Sequence, residues 1–260
     1  MESARRIRPN PADRIPILIT SSITPHDPGV QLSDPQQRLF HAMESIAQWV
    51  RVAPGSRLIL CDGSNFDFRP IIEEKFPHME IECLSFENNH AKILTHGRGY
   101  GEGEIIKFAL EHSVFLRSTA AFAKCSSKLW VENYPECLRH FQGNCLFSGV
   151  FKNTFSILKP VEMIQVDTRF YIVRNDFYRN NLIDAHHEIS LATGFGLEDS
   201  FHRALIDSKQ EGYLFTTPPV IMGVGGGTGK YYKAGRMRLW KERIRLMKVK
   251  KSKNFHRLFS

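Results

Sequence analysis

Leu58-Ile-Leu-Cys-Asp-Gly-Ser64 is the stretch on which the fold turns: four apolar residues in succession, then an acid, a glycine and a hydroxyl. Such a run leaves no solvated face, so Arg57–Cys61 reads as a strand covered on both sides. Ending it at Asp62 puts a carboxylate at the carboxyl end of a buried parallel strand, the edge where open α/β sheets bind ligands. That carboxylate can accept from a ligand N–H or hydroxyl, and Gly63 permits a tight turn. An Asx-turn that only terminates the strand accounts for the same residues equally well.

The flanking sequence repeats the pattern. Upstream, Ile15–Thr20 reads as a first strand that stops at the polar stretch Ser21–Asp27. Asp34 then caps a helix whose apolar positions Leu39, Phe40, Met43, Ile46, Ala47 and Val50 recur at helical spacing, until Pro54-Gly55 breaks it. Downstream, Ile71–Phe76 is a short helix and Met79–Phe86 a third strand. Strand–helix–strand–helix–strand with short connections predicts a parallel sheet covered on both faces.

Further along, His96–Glu104 reads as a glycine-rich loop before a helix over Glu104–Val114. Strands are expected at Phe122–Lys124, Lys128–Val131, Asn144–Phe151, Met163–Val166, Phe170–Val173 and Val220–Val224, and helices at Leu182–Leu191 and Leu197–Asp207.

With 260 residues, 42% of them hydrophobic, the chain can fill one large core. No run approaches the ~20 apolar residues needed to cross a bilayer. The charged start, residues 1–14, is followed by no apolar h-region, so no secretory leader is expected. The five cysteines form no CxxC pair, which argues against a zinc cluster or a disulfide scaffold and for a reducing, cytoplasmic setting. No histidine spacing reads as a metal site, HExxH being absent, and no GxSxG elbow supports serine hydrolysis.

Charge is concentrated at the C-terminal end. From Lys230 onward twelve basic residues face one acid, Glu242, so this segment holds about +11 and the rest of the chain about −3 of the net +8. The near-neutral body gives no reason to expect nucleic acid. The chain is accordingly divided into one domain over 1–232 and a basic amphipathic extension over 233–260.

Three more segments carry chemistry. Gly97-Arg-Gly-Tyr-Gly-Glu-Gly103 opens onto a helix, where exposed N–H groups and Arg98 suit phosphate, although Glu102 and Glu104 oppose it and a structural loop is the alternative. Gln165-Val-Asp-Thr-Arg-Phe170 sets Asp167 between two strands, placed either to hold a divalent ion or to pair with Arg169. Leu197-Glu-Asp-Ser200 offers two acids at a helix start, a general base with its neighbour or a plain cap.

Taken in order, these segments resemble GT-A-fold glycosyltransferases, especially the inverting family-2 type and some polysaccharide-biosynthesis enzymes. The resemblance implies a GT-A-like (Rossmann-like), mixed, mostly parallel sheet flanked by helices, with the basic tail as a helix. It implies that a nucleotide-sugar, a UDP-sugar by preference, binds at the first strands, with Asp62 on the base. Phe122-Ala-Lys-Cys-Ser-Ser-Lys-Leu-Trp-Val-Glu-Asn133 is similar to a block in which two cations meet the donor phosphates, here Lys124 and Lys128, with Ser127 where a glycine is expected. No DxD motif is present. Ser21, Asp62, Arg98, Lys124, Lys128 and Arg169 are thus the expected donor-binding residues, Asp167 the ligand for Mn2+ or Mg2+, Asp199 the first choice as base and Glu198 its neighbour.

The expected reaction is sugar transfer to a hydroxyl of a glycan or lipid-linked acceptor. A non-catalytic nucleotide- or glycan-binding module is the second reading and a nucleic-acid-associated protein the third. In the tail, Met237, Leu239, Trp240, Ile244, Leu246 and Met247 interleave imperfectly with Arg and Lys. That pattern suits an anionic membrane surface at the cytoplasmic face, a helix docked on the body, or nucleic acid.

Overall fold

The computed structural model describes residues 15–156, 158–233, 235–252 and 254–259; the charged start (1–14) and Lys253 of the basic tail lie outside the described residues. β1 (Ile17–Ser21), β2 (Leu58–Asp62), β3 (Ile81–Ser85) and β4 (Ala121–Ser126) run parallel. β7 (Glu162–Arg174) is antiparallel both to β4 and to β6 (Cys145–Lys152). The six form one mixed, mostly parallel sheet in the order β3-β2-β1-β4-β7-β6. β5 (Leu129–Val131), β8 (Ile221–Val224) and β9 (Tyr231–Tyr232) make a small antiparallel sheet beside it, and the short helices α5 (Val114–Arg117) and α6 (Tyr134–Arg139) precede β4 and follow β5 in the chain.

Two apolar layers explain why β1 and β2 have no polar side. Ile17, Ile19, Leu58 and Leu60 pack with Ile46 and Trp49 of α1 (Pro35–Val52) and Ile72 of α2 (Arg69–Lys75). Leu18, Ile59 and Cys61 point the other way, into Ile105, Ile106 and Ala109 of α4 (Arg98–His112), in a layer that also holds Phe177 of α7 (Asn175–Asn181) and Phe201 of α8 (Leu197–Asp207). The expected α/β arrangement, a mixed, mostly parallel sheet flanked by helices, is the one observed. Asp34 caps α1 as expected, accepting from Gln37 N at 2.7 Å.

Three sequence expectations are corrected. The glycine run is not a loop: a short helix, α3 (His90–His96), ends at Gly97, and α4 begins at Arg98 and runs through Gly99, Gly101 and Gly103. These glycines let α4 approach its neighbours. A Cβ on Gly103 would lie 2.3 Å from His186, and one on Gly101 2.9 Å from Asn88 Nδ2. The helix expected over Leu182–Leu191 is reduced to a 3-10 turn, Ala185–Glu188.

The third correction concerns β7, which runs without a break through Asp167-Thr-Arg169. It pairs with β6 from Glu162 to Asp167 and again at Ile172 and Val173, and with β4 on its other edge from Phe170 to Arg174; between Ile172 and Asp167 it carries more residues than β6 sets opposite. Thr168 and Arg169 therefore sit in a bulge against β6, just before the pairing with β4 begins. Such bulges re-aim side chains next to sites. Side chains satisfy the backbone there: Lys124 Nζ donates to Thr168 O at 2.8 Å, and Arg169 N donates to Asp167 Oδ1 at 2.9 Å.

The basic segment lies against the body. α9 (Arg236–Lys250) buries Val249, and the residues after it bridge Phe259 to Leu214 beside β6, with Leu214 N donating to Leu258 O at 2.7 Å. No helix among the described residues is long and apolar enough to cross a membrane.

Candidate functional site

The carboxyl ends of β1 and β4 open into a cavity of about 320 Å³. Its lining brings together five of the residues singled out above: Ser21, Arg98, Lys128, Arg169 and Glu198. Asp62, Lys124, Asp167 and Asp199 do not line it.

Cations gather at one end. Lys128, just past β4, is buried and donates to Ser127 Oγ at 2.9 Å. Arg38 reaches in from α1, held by Ser22 O at 2.8 Å and Leu32 O at 2.7 Å. Arg98 enters from the first residue of α4. All three meet the loop Gly225–Thr228: a Cβ on Gly226 would stand 3.2 Å from Lys128 Cε and 3.6 Å from Arg38 Nη1, and one on Gly227 would stand 2.8 Å from Arg98 Cζ. The two glycines thus leave room for guanidinium and ammonium groups to crowd one turn.

None of these three side chains has a carboxylate partner among the described residues. Burial, together with the neighbouring Arg38, pushes the Lys128 ammonium down to about 7, the nearby Asp62 opposing this. Burial likewise lowers Arg38 to about 10 against the pull of Asp62. Buried like charges without a counter-ion are costly, and they fit a site whose counter-ion arrives with the ligand. The buried Ser21 Oγ and Asn88 Oδ1 have no hydrogen-bond partner among the described residues, and both residues line this cavity.

Acids line the same cavity. Thr168 Oγ1 donates to Glu198 Oε1 at 3.0 Å, and burial raises the Glu198 carboxyl, with Glu102 adding a like charge. Glu102 is ion-paired to Lys124, which is wholly buried behind the cavity wall. Glu198 also lines a second cavity of about 210 Å³, which shares Asp27, Arg98, Glu102 and Thr168 with the first and extends along Ile189–Leu191 and Gly194–Leu197. An acid whose proton affinity burial has increased thus stands between two adjoining compartments.

The remaining residues are engaged by partners within the protein. Asp62 is buried and its oxygens accept from Ile23 N (3.0 Å), Ser64 N (2.7 Å), Ser64 Oγ (2.6 Å) and Phe66 N (3.2 Å), the Asx-turn geometry. Asp167 has both oxygens engaged by the Arg169 guanidinium, so the ion-pair alternative, not an open metal ligand, describes it. Asp199 faces back to cap its own helix, accepting from Gly196 N at 2.9 Å. Lys124 is spent on Glu102 and on the β7 bulge.

A metal-type donor set occurs at positions the sequence reading passed over. His26, Glu87 and His90 offer ligand atoms within 4.8 Å of one another, and His26 lines the first cavity. His26 Nε2 lies 3.3 Å from Glu87 Oε1, His90 contacts the same oxygen, and the two rings stack at 3.4 Å. Two imidazoles and one carboxylate fit a divalent transition ion better than Mg2+. Arg38 and Asn88 give no local signal in the sequence. The Gly225–Lys230 run does, but its GGGTGK string fails the Walker pattern, lacking the spaced first glycine and carrying Tyr231 where Ser or Thr should follow the lysine.

No protein-family model matches the chain, and no curated protein matches it. Solved structures do. HddC from Yersinia pseudotuberculosis is 14% identical, with 64% of this chain and 79% of that one covered and a TM-score of 0.38. A protein from Desulfovibrio desulfuricans G20, provisionally described as a nucleotide-diphospho-sugar transferase, is 10% identical over 78% of this chain and 79% of that one, with a TM-score of 0.47. Core-mannan synthase A from Aspergillus fumigatus, in its Mn/GDP form, is 10% identical over 92% of this chain and 84% of that one, with a TM-score of 0.44.

Proposed function

We propose that the chain is a GT-A-type glycosyltransferase that moves a sugar from a nucleoside-diphosphate donor to an acceptor hydroxyl. The observation that carries this reading is the convergence of Arg38, Arg98 and Lys128 on one glycine turn at the strand ends, in a cavity that Glu198 also lines. A diphosphate supplies the charge those three cations lack, and Ser21 and Asn88 supply polar contacts for the rest of the donor.

The donor occupies the larger cavity and the acceptor the adjoining one, with Glu198 between them. Glu198 takes the proton from the acceptor hydroxyl while the new oxygen–carbon bond forms at the anomeric carbon. The bond from that carbon to the diphosphate breaks, and the leaving group keeps the electron pair under the field of the three cations. Glu198 replaces Asp199 as the base because only Glu198 reaches the cavities. His26, Glu87 and His90 would hold a divalent transition ion, which would supply further positive charge to the donor phosphates.

The test is titration calorimetry with uridine, UDP and UDP-sugars, then the guanosine and cytidine series, each with and without Mn2+. Diphosphates should bind and nucleosides should not. Equal binding of nucleoside and diphosphate would remove the cation cluster from the donor site. A binding module without catalysis would bind the donors yet leave every acceptor unmodified.

A further inference from the structure

α9 has two apolar stripes. At 3.6 residues per turn, Leu239, Leu246 and Val249 fall on the side facing the body, where they line a cavity of about 330 Å³ together with Glu242 and Phe215. Met237, Trp240, Ile244 and Met247 fall within an arc of about 80° on the opposite side. Met237, Trp240 and Met247 are 67%, 59% and 55% exposed. This arrangement explains the imperfect alternation in the sequence: one helix serves two surfaces.

The outer stripe is bordered by cations. Lys241 and Lys248 flank one edge and Arg243 the other, where it also lines the inner cavity; all three are exposed. The single acid of the helix, Glu242, is turned inward and paired with Arg245 at 2.7 Å. The turn between β6 and β7 extends the patch: Phe155 lies beneath the Lys248 ammonium at 4.9 Å, and Phe155 and Leu158 are exposed between Lys152 and Lys159.

We infer that this face is a docking surface for an anionic lipid bilayer, with α9 lying in the interface plane. Long apolar side chains bare to water and ringed by Lys and Arg suit the boundary between acyl chains and anionic headgroups. Nucleic acid would use the cations but would leave Met237, Met247 and Leu158 without a partner. The surface is separate from the donor cavity, so it stands or falls independently of the proposed reaction.

Trp240 makes the test direct, because the other tryptophans, Trp49 and Trp130, are buried at 0% and 4% exposure. Adding phosphatidylcholine vesicles containing phosphatidylglycerol to the full chain should shift tryptophan emission to the blue, and vesicles of phosphatidylcholine alone should shift it less. The triple variant M237S/W240S/M247S should lose roughly tenfold or more of its co-sedimentation with the anionic vesicles. Its circular dichroism should match the parent, since all three side chains are exposed. Unchanged emission with anionic vesicles, co-sedimentation unaffected by the triple substitution, or tighter binding to a DNA or RNA duplex than to the vesicles would each overturn the inference.

Discussion

Thr168 and Glu198, thirty positions apart, are joined by a 3.0 Å hydrogen bond that ties the bulge of β7 to the first turn of α8. The bond orients the Glu198 carboxylate, and the adjacent Asp199 anchors the same helix start through Gly196 N. The two neighbouring acids therefore predict opposite phenotypes.

Glu198→Gln should lower sugar transfer by about 10²–10⁴-fold with little change in donor affinity. Asp199→Asn should leave most of the turnover and cost about 1 kcal/mol of stability, as loss of a helix cap does. Steady-state kinetics with thermal unfolding of both variants separate the roles. Full activity in Glu198→Gln would eliminate it as the base.

Lys128 is held at a cost to the empty protein. Lys128→Met should stabilise the ligand-free chain by about 1–3 kcal/mol, since it removes an ammonium buried beside Arg38. The same change should weaken UDP or GDP binding by tenfold or more. Denaturant titration and calorimetry read the two effects, and a variant that is both less stable and equally tight would contradict them.

The pH dependence follows from the same side chain. In the free protein Lys128 is depressed to about 7, and a bound diphosphate favours its charged form, so binding takes up a proton above pH 7. Affinity is full below that point and falls as pH rises, by up to about tenfold per unit. Between pH 7 and the ordinary lysine value of 10.5, the unfolded chain holds a proton that the folded chain has lost. The contribution of this group to stability therefore increases with pH across that window and is at its minimum below it. Calorimetry in buffers of different ionisation enthalpy at about pH 8 should show proton uptake on binding; zero uptake would rule the linkage out.

Gly103→Ala tests the packing of α4. The added methyl would meet His186 at 2.3 Å, so a loss of about 1–3 kcal/mol is expected. Gly143→Ala, where the methyl enters open space, is the control and should unfold at nearly the parental temperature.

The helices and strands legible in the sequence were those whose signals are local. α1 shows its cap and its period, β1 and β2 are continuous apolar runs, and α8 was bounded as observed. What stayed hidden depended on distant partners. Glycines at 99, 101 and 103 look like a loop until Leu197, Asn88 and His186 are packed against them. Arg38 looks like the polar face of α1, and only the carbonyls of Ser22 and Leu32 turn it inward. Asp62 and Asp167 stand out in the sequence, but the partners that hold them are set by hydrogen bonds that a motif does not list. His26 and His90 are 64 positions apart, beyond any helical metal-site spacing.

The bulge in β7 also bears on how this architecture can change its substrate. β1 matches both of its neighbours residue for residue, so adding or removing one residue there would invert every side chain that follows. At Thr168–Arg169 the strand already carries unmatched length. An insertion or deletion there would move these two residues relative to Glu198 while leaving the flanking ladders in step. In the proposed reaction, libraries that vary length at this point would reposition the bulge against Glu198 and so change which acceptor is used.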